Sequence, residues 1–133
     1  MRILIVEDEK HTSLMYQSFL EQKGECDIVE KGQDAINVFN RSIVQNEPYD
    51  IILLDINLPD IDGLNVLEII REKEKRADLK TDKMIPVIMV TGIANKDFIL
   101  RAVKLNCAGY IIKPVDKKIL VEKIDSVMEK RKQ

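Results

Sequence analysis

Short apolar runs separated by longer amphipathic stretches pattern this chain. Ile3-Leu4-Ile5-Val6, Ile51-Ile52-Leu53-Leu54 and Val87-Ile88-Met89-Val90 are apolar at successive positions, as in strands covered on both faces, where neither side of the pleat meets water. Cys26-Asp27-Ile28-Val29-Glu30 and Tyr110-Ile111-Ile112 are shorter or more polar and suit the edges of a sheet. The runs predict strands over 2–7, 25–30, 50–55, 84–90 and 108–112. Helices are predicted over 10–23, ended by Gly24; 33–46, ended before Pro48; 63–76; 95–105; and 116–130. Asn95 and Asp116 stand where an N-cap is wanted, and Leu120, Ile124, Val127 and Met128 form one apolar stripe on the last helix. Strand and helix alternate throughout, which predicts an α/β fold: a doubly wound parallel sheet of five strands with helices on both faces. The stretch from Arg71 to Lys83 is so charged that it reads as a solvated helix end and surface loop.

Composition narrows the class without changing this picture. At 133 residues, 45% hydrophobic and 33% charged, the chain reads as one domain, residues 1–133, able to bury its own core. A net charge of -2 argues against a nucleic-acid surface, which needs a basic excess to displace phosphate counterions. The first strand begins at Arg2, leaving no room for a secretory segment, and no apolar stretch reaches membrane-spanning length, so the expected compartment is the cytoplasm. Cys26 and Cys107 lack a Cys-x-x-Cys spacing and read as small buried hydrophobes on opposite sides of the sheet. The only histidine, His11, falls in a polar stretch at the start of the first helix and reads as solvated.

The chemistry lies where the apolar runs stop. The first ends at Glu7 and Asp8, the run before Asp55 at that carboxylate, the run after Pro86 at Thr91, and the last at Lys113. If the runs are parallel strands, these side chains gather along one sheet edge, where open α/β sheets bind their ligands. Three adjacent carboxylates raise one another's pKa unless a cation neutralises them, and an all-oxygen donor set suits Mg²⁺. Asp8 and Asp55 are the expected direct ligands, with Glu7 acting through water. A carboxylate is also a competent nucleophile toward phosphorus, which makes Asp55 the candidate for an aspartyl phosphate, with Lys113 and Thr91 stabilising the phosphoryl oxygens.

Taken together, Ile5-Val6-Glu7-Asp8, Leu54-Asp55-Ile56-Asn57-Leu58-Pro59 continuing to Asp62-Gly63, Val90-Thr91-Gly92 and Tyr110-Ile111-Ile112-Lys113-Pro114 resemble the receiver domains of two-component response regulators over essentially the full chain. The resemblance implies the flavodoxin-like strand order 2-1-3-4-5, taken from the family rather than from these residues. It implies that Asp55 accepts phosphate from a phosphohistidine on a sensor histidine kinase or histidine phosphotransfer protein, and that the domain catalyses only its own phosphorylation and dephosphorylation. It also implies Mg²⁺ on Asp8, Asp55 and the main-chain carbonyl of Asn57, and a cis bond before Pro114. Thr91 would move toward the phosphate while Tyr110 rotates inward, although Tyr110 reads equally well as an edge-strand aromatic. The surface of the fourth helix, fifth strand and fifth helix would meet a downstream partner through Ile99, Arg101, Lys104, Tyr110 and Lys117. Homodimerisation on phosphorylation stays open.

Departures from the family pattern are Glu7, longer than aspartate; Ile93, a branched side chain near the mouth of the site and a candidate obstacle to hydrolytic water; and the length of the charged segment 71–83. A haloacid-dehalogenase-type phosphohydrolase wants aspartate where this chain has Asn57. A flavin carrier wants a phosphate-cradling loop where it has Glu7-Asp8-Glu9. A receiver that works without phosphorylation is disfavoured by the complete set of site residues. Whether the chain acts alone or is a piece of a longer regulator stays open.

Overall fold

A computed structural model describes residues 1–79, 83–93 and 95–132. The elements are β1 (Arg2–Val6), α1 (Lys10–Phe19), β2 (Glu25–Val29), α2 (Gly32–Val44), β3 (Ile51–Asp55), α3 (Gly63–Arg76), β4 (Val87–Thr91), α4 (Lys96–Lys104), β5 (Gly109–Ile112) and α5 (Lys117–Arg131). All strand pairs are parallel and the order is β2-β1-β3-β4-β5.

Successive residues of each strand feed opposite cores. Leu4, Val6, Ile52, Leu54, Val87 and Met89 pack with α2, α3 and α4, whereas Ile3, Ile5, Leu53, Ile88, Val90 and Ile111 pack with α1 and α5. Every residue of β3 and β4 is buried, while β2 and β5 are partly exposed edges, as the run polarity predicts. Asn95 and Asp116 cap their helices by accepting from Phe98 N at 2.8 Å and Ile119 N at 2.8 Å. Leu120, Ile124 and Val127 are buried. Among the described residues no helix is long and apolar enough to cross a membrane.

Three expectations need correction. First, α1 stops at Phe19 rather than at 23, because Leu20 turns the chain into the core and the following turn returns it beside the start of β1. Gly24 serves that return: a β-carbon there would lie 2.1 Å from the Met1 carbonyl oxygen, which Glu25 N takes as a hydrogen-bond acceptor at 2.9 Å. Second, the cysteines are half-buried, although they do lie at opposite edges, Cys26 against the α1/α5 core and Cys107 against the other. Third, Arg71 and Glu74 are 8% and 2% exposed, not solvated. Arg71 Nη1 donates to Glu74 Oε1 at 2.6 Å, Arg71 Nε to the Leu105 carbonyl at 2.8 Å and Nη2 to that of Asn106 at 3.0 Å. Glu74 Oε2 accepts from Ile85 N at 2.6 Å. Burial of both charges is tolerated because the pair is closed by hydrogen bonds to main chain on either side. Residues 80–82 of the same charged stretch, and Gln133, lie outside the described residues.

Glu74→Ala leaves a buried guanidinium unpaired and the Ile85 amide without an acceptor, so it should lower unfolding free energy by ~3–5 kcal/mol in urea denaturation. The double change Arg71→Met with Glu74→Leu leaves the Ile85 amide and the Leu105 and Asn106 carbonyls without these partners but no buried charge, so it should cost less than Glu74→Ala.

Candidate functional site

The carboxyl ends of β1, β3, β4 and β5 lie along one edge of the sheet, and their next side chains meet there. Because β1 and β3 are neighbours, with Val6 opposite Leu54, Glu7 and Asp55 come up side by side. Glu7 N donates to Val29 O at 3.0 Å, which extends the β1–β2 ladder by one step and fixes the Glu7 backbone. Lys113 N donates to Thr91 O at 2.8 Å, extending β4–β5 in the same way, and the Lys113–Pro114 bond is cis as expected.

Across this edge Lys113 Nζ donates to Asp55 Oδ2 at 3.0 Å and to Glu7 Oε1 at 3.1 Å. Both acids are almost fully shielded, Glu7 at 1% and Asp55 at 3% exposure. Burial, then the hydrogen bond and charge of Asp55, push the Glu7 carboxyl from 4.5 up to about 7 against the opposing pull of Lys113. Burial also works against the Lys113 ammonium, but its bonds to Asp55 and Glu7 outweigh that and hold it above the ordinary lysine range.

Glu7, Asp8 and Asp55 each bring a carboxylate oxygen within 4.8 Å of the others. Asp8 is exposed, and Glu7 Oε2 is buried with no hydrogen-bond partner. A buried carboxylate oxygen without a donor, in an all-oxygen cluster open to solvent on the Asp8 side, fits a hard divalent cation and its waters.

The loop after β3 is built to keep Asp55 in place. Asp55 Oδ1 accepts from Asn57 N at 3.1 Å, and Asp62 caps α3 through Leu64 N at 2.7 Å. Gly63 is needed because a β-carbon there would lie 2.4 Å from the Asp55 carbonyl oxygen. Asp60 carries a role that sequence reading missed. Its carboxylate accepts from Gly32 N at 2.8 Å and Gln33 N at 2.9 Å, capping α2 from another loop, and these backbone bonds, Gln33 first, hold it below the usual aspartate range. The available signal was at the start of α2, where Lys31 offers no capping side chain. Tyr16 was missed as well. It is buried on α1 within range of the Lys113, Glu7 and Asp55 charges, and burial pushes its phenol up to about 12.

Thr91 is buried at the end of β4, and its hydroxyl is committed locally: Oγ1 donates to Ile93 O at 2.7 Å and accepts from Ile93 N at 3.1 Å. Gly92 leaves open space beside it, and Ile93 is 73% exposed. Tyr110 is directed outward on β5. Of the other residues expected at a docking surface, Lys104 and Lys117 are exposed, but Ile99 packs against the core. Arg101 reaches across to α3, donating to Asn65 Oδ1 at 2.8 Å. Exposed Leu100, Val103, Ile112 and Ile119, which sequence reading did not single out, lie on α4, β5 and α5 instead.

A family model described as the response regulator receiver domain matches residues 3–125. The chain is 32% identical over 126 residues to the TorCAD operon transcriptional regulatory protein TorR of Escherichia coli, covering 95% of this chain but 49% of TorR, so it spans about half that relative's length. It is 27% identical over 128 residues to a chemotaxis protein CheY homolog of Campylobacter jejuni, covering 96% of this chain and 92% of that one. Among solved structures, the non-phosphorylated HemR receiver domain from Leptospira biflexa superposes with a TM-score of 0.79 at 28% identity, covering 96% and 93% of the two chains.

Glu7 gives the metal-free protein a pH dependence of defined sign. The folded state keeps the Glu7 proton up to about 7, whereas the unfolded chain releases it near 4.5, so the native state binds more protons in that interval and stability falls as pH rises through it. Glu7→Gln should flatten this fall, as read from urea midpoints at either end of the interval in the presence of a chelator.

Proposed function

The chain belongs to the response regulator receiver domain family, the phosphorylatable module of two-component signalling, and from that membership we propose that Asp55 is its phosphoacceptor. The observation that supports this assignment above others is the bridge from Lys113 to Asp55 and Glu7, groups 58 and 106 residues away from it in sequence. In the reaction an Asp55 carboxylate oxygen attacks the phosphorus of a phosphohistidine carried by a sensor histidine kinase or histidine phosphotransfer protein. The P–O bond forms as the P–N bond breaks, and the imidazole leaves with the electron pair and is protonated by solvent. Lys113 keeps one contact to the acceptor and supplies positive charge to a phosphoryl oxygen, while burial of Asp55 restricts water at the reacting atoms.

Asp8, Asp55 and the Asn57 main-chain carbonyl would hold Mg²⁺, with Glu7 linked through water, and the ion would supply neutralisation of the phosphoryl charge. The domain, residues 1–133, acts on its own carboxylate and on no other substrate. Its unbridged thiols suit the cytoplasm.

Phosphorylation adds up to about two negative charges and three acceptor oxygens next to Thr91 and Lys113. The Thr91 hydroxyl then has a stronger acceptor than the Ile93 carbonyl that it now serves, and its reorientation alters the β4–α4 connection. The readout surface is α4-β5-α5, with exposed Leu100, Val103, Tyr110, Ile112 and Ile119 bordered by Lys104 and Lys117, and it meets a downstream partner or output domain.

Incubation with acetyl phosphate or phosphoramidate and Mg²⁺ should add one phosphoryl group, mapped by mass to Asp55. Asp55→Asn should take none, and a variant that still labels removes Asp55 from this role. Ile93, exposed and bonded through its backbone to Thr91, is proposed to hinder hydrolytic water, so Ile93→Glu should shorten the lifetime of the phosphorylated state severalfold; an unchanged decay would remove Ile93 from that role.

A further inference from the structure

Helix α4 is fastened to its neighbour very unevenly. Among the described residues, the polar links between α4 and α3 fall in the C-terminal half of α4 and at its end. Arg101 reaches Asn65 and, at 3.4 Å, Glu68 on the surface. Arg71 forks onto the carbonyls of Leu105 and Asn106, the residues that close α4. A guanidinium at a helix C-terminus satisfies carbonyls that have no partner within the helix and meets the negative end of its dipole. Glu74 then ties this guanidinium to the entry of β4 through Ile85 N, so α3, the end of α4 and the start of β4 share one buried network. At the opposite end of α4 no such tie is found among the described residues. Among the described residues the polar bonds there are local, with Asn95 capping its own helix through Phe98 N and Thr91 bonded to Ile93. The buried Phe98 side chain and the partly buried Ile99 hold the first turn to the core by apolar packing.

We propose that the Arg71–Glu74 pair pins the C-terminal turn of α4, so that phosphorylation of Asp55 displaces only the N-terminal half of that helix. This rests on Asp55 being the phosphoacceptor. The disturbance enters at Ile93, when Thr91 gives up the Ile93 carbonyl, two residues before the Asn95 cap. It ends where two arginines hold residues 101–106. The docking surface is thereby divided. Ile93 and Lys96 lie on the part that changes position, and Val103 and Lys104 lie on the part that does not. Contacts to the fixed part add affinity equally in both states, so a partner distinguishes the states only through the N-terminal part.

Amide hydrogen exchange on the full chain in Mg²⁺, with and without beryllofluoride as the phosphoryl stand-in, tests this. Exchange at residues 95–99 should change on the order of tenfold, while residues 103–107 stay within about a factor of two. In the double variant Arg71→Met with Glu74→Leu the change should spread into 103–107. Where that variant does not fold, Arg71→Lys, which keeps the charge but loses the fork, should spread it likewise. Equal change at both ends of α4 in the unaltered protein, or a variant that keeps the unaltered pattern, overturns the proposal. Acetyl phosphate labelling of beryllofluoride-free protein from the same preparations separates the two readings: a label on Asp55 with uniform exchange sinks only the pinned helix, whereas no label on Asp55 sinks both.

Discussion

The ammonium of Lys113 stands between two carboxylates that would otherwise repel each other in a place nearly closed to water. With Glu7 1% and Asp55 3% exposed, solvent screens their repulsion little, and each lies 3.0–3.1 Å from the same nitrogen. Paired charges of this kind are tolerated in a low-dielectric setting only if geometry and additional donors hold them. The additional donor here is a main-chain amide, Asn57 N on Asp55. Among the described residues Glu7 Oε2 is a buried side-chain oxygen without a hydrogen-bond partner, and it lies in the acidic cluster that could hold a cation.

Topology makes this pairing reachable. β1 lies beside β3, so the acids arrive as neighbours, and β4 separates β3 from β5, so Lys113 extends past the end of Thr91 to reach them. Burial of every residue of β3 and β4 leaves the sheet little freedom to relax. On the proposed function, a new charge at its edge would be relieved through the connections above it, where Thr91 and Ile93 exchange hydrogen bonds.

The chain's apolar runs made the central strands readable, because unbroken burial on both faces leaves only successive apolar positions. The polar residue ending each run made the site readable in the same step. Helix ends with their own caps, at Asn95 and Asp116, were equally plain. What escaped was whatever depends on a partner distant in sequence. Arg71 and Glu74 resemble any solvated charges until Leu105, Asn106 and Ile85 are brought against them. Gly24 resembles a helix terminator until Met1 is found beside it. Ile99 and Arg101 fall on a helix whose rotation about its axis decides which of them meets solvent, and that rotation is set by packing against α3.

The cap that Asp60 lends to α2 carries a consequence for synthesis. A chain emerging from the ribosome exposes α2 well before Asp60, which follows Gly32 by 28 residues. Until then the first turn of α2 has only water for its leading amides. The helix is completed by the same loop that holds Asp55, so the cap of the second helix waits on the segment that follows β3 rather than forming in order of translation.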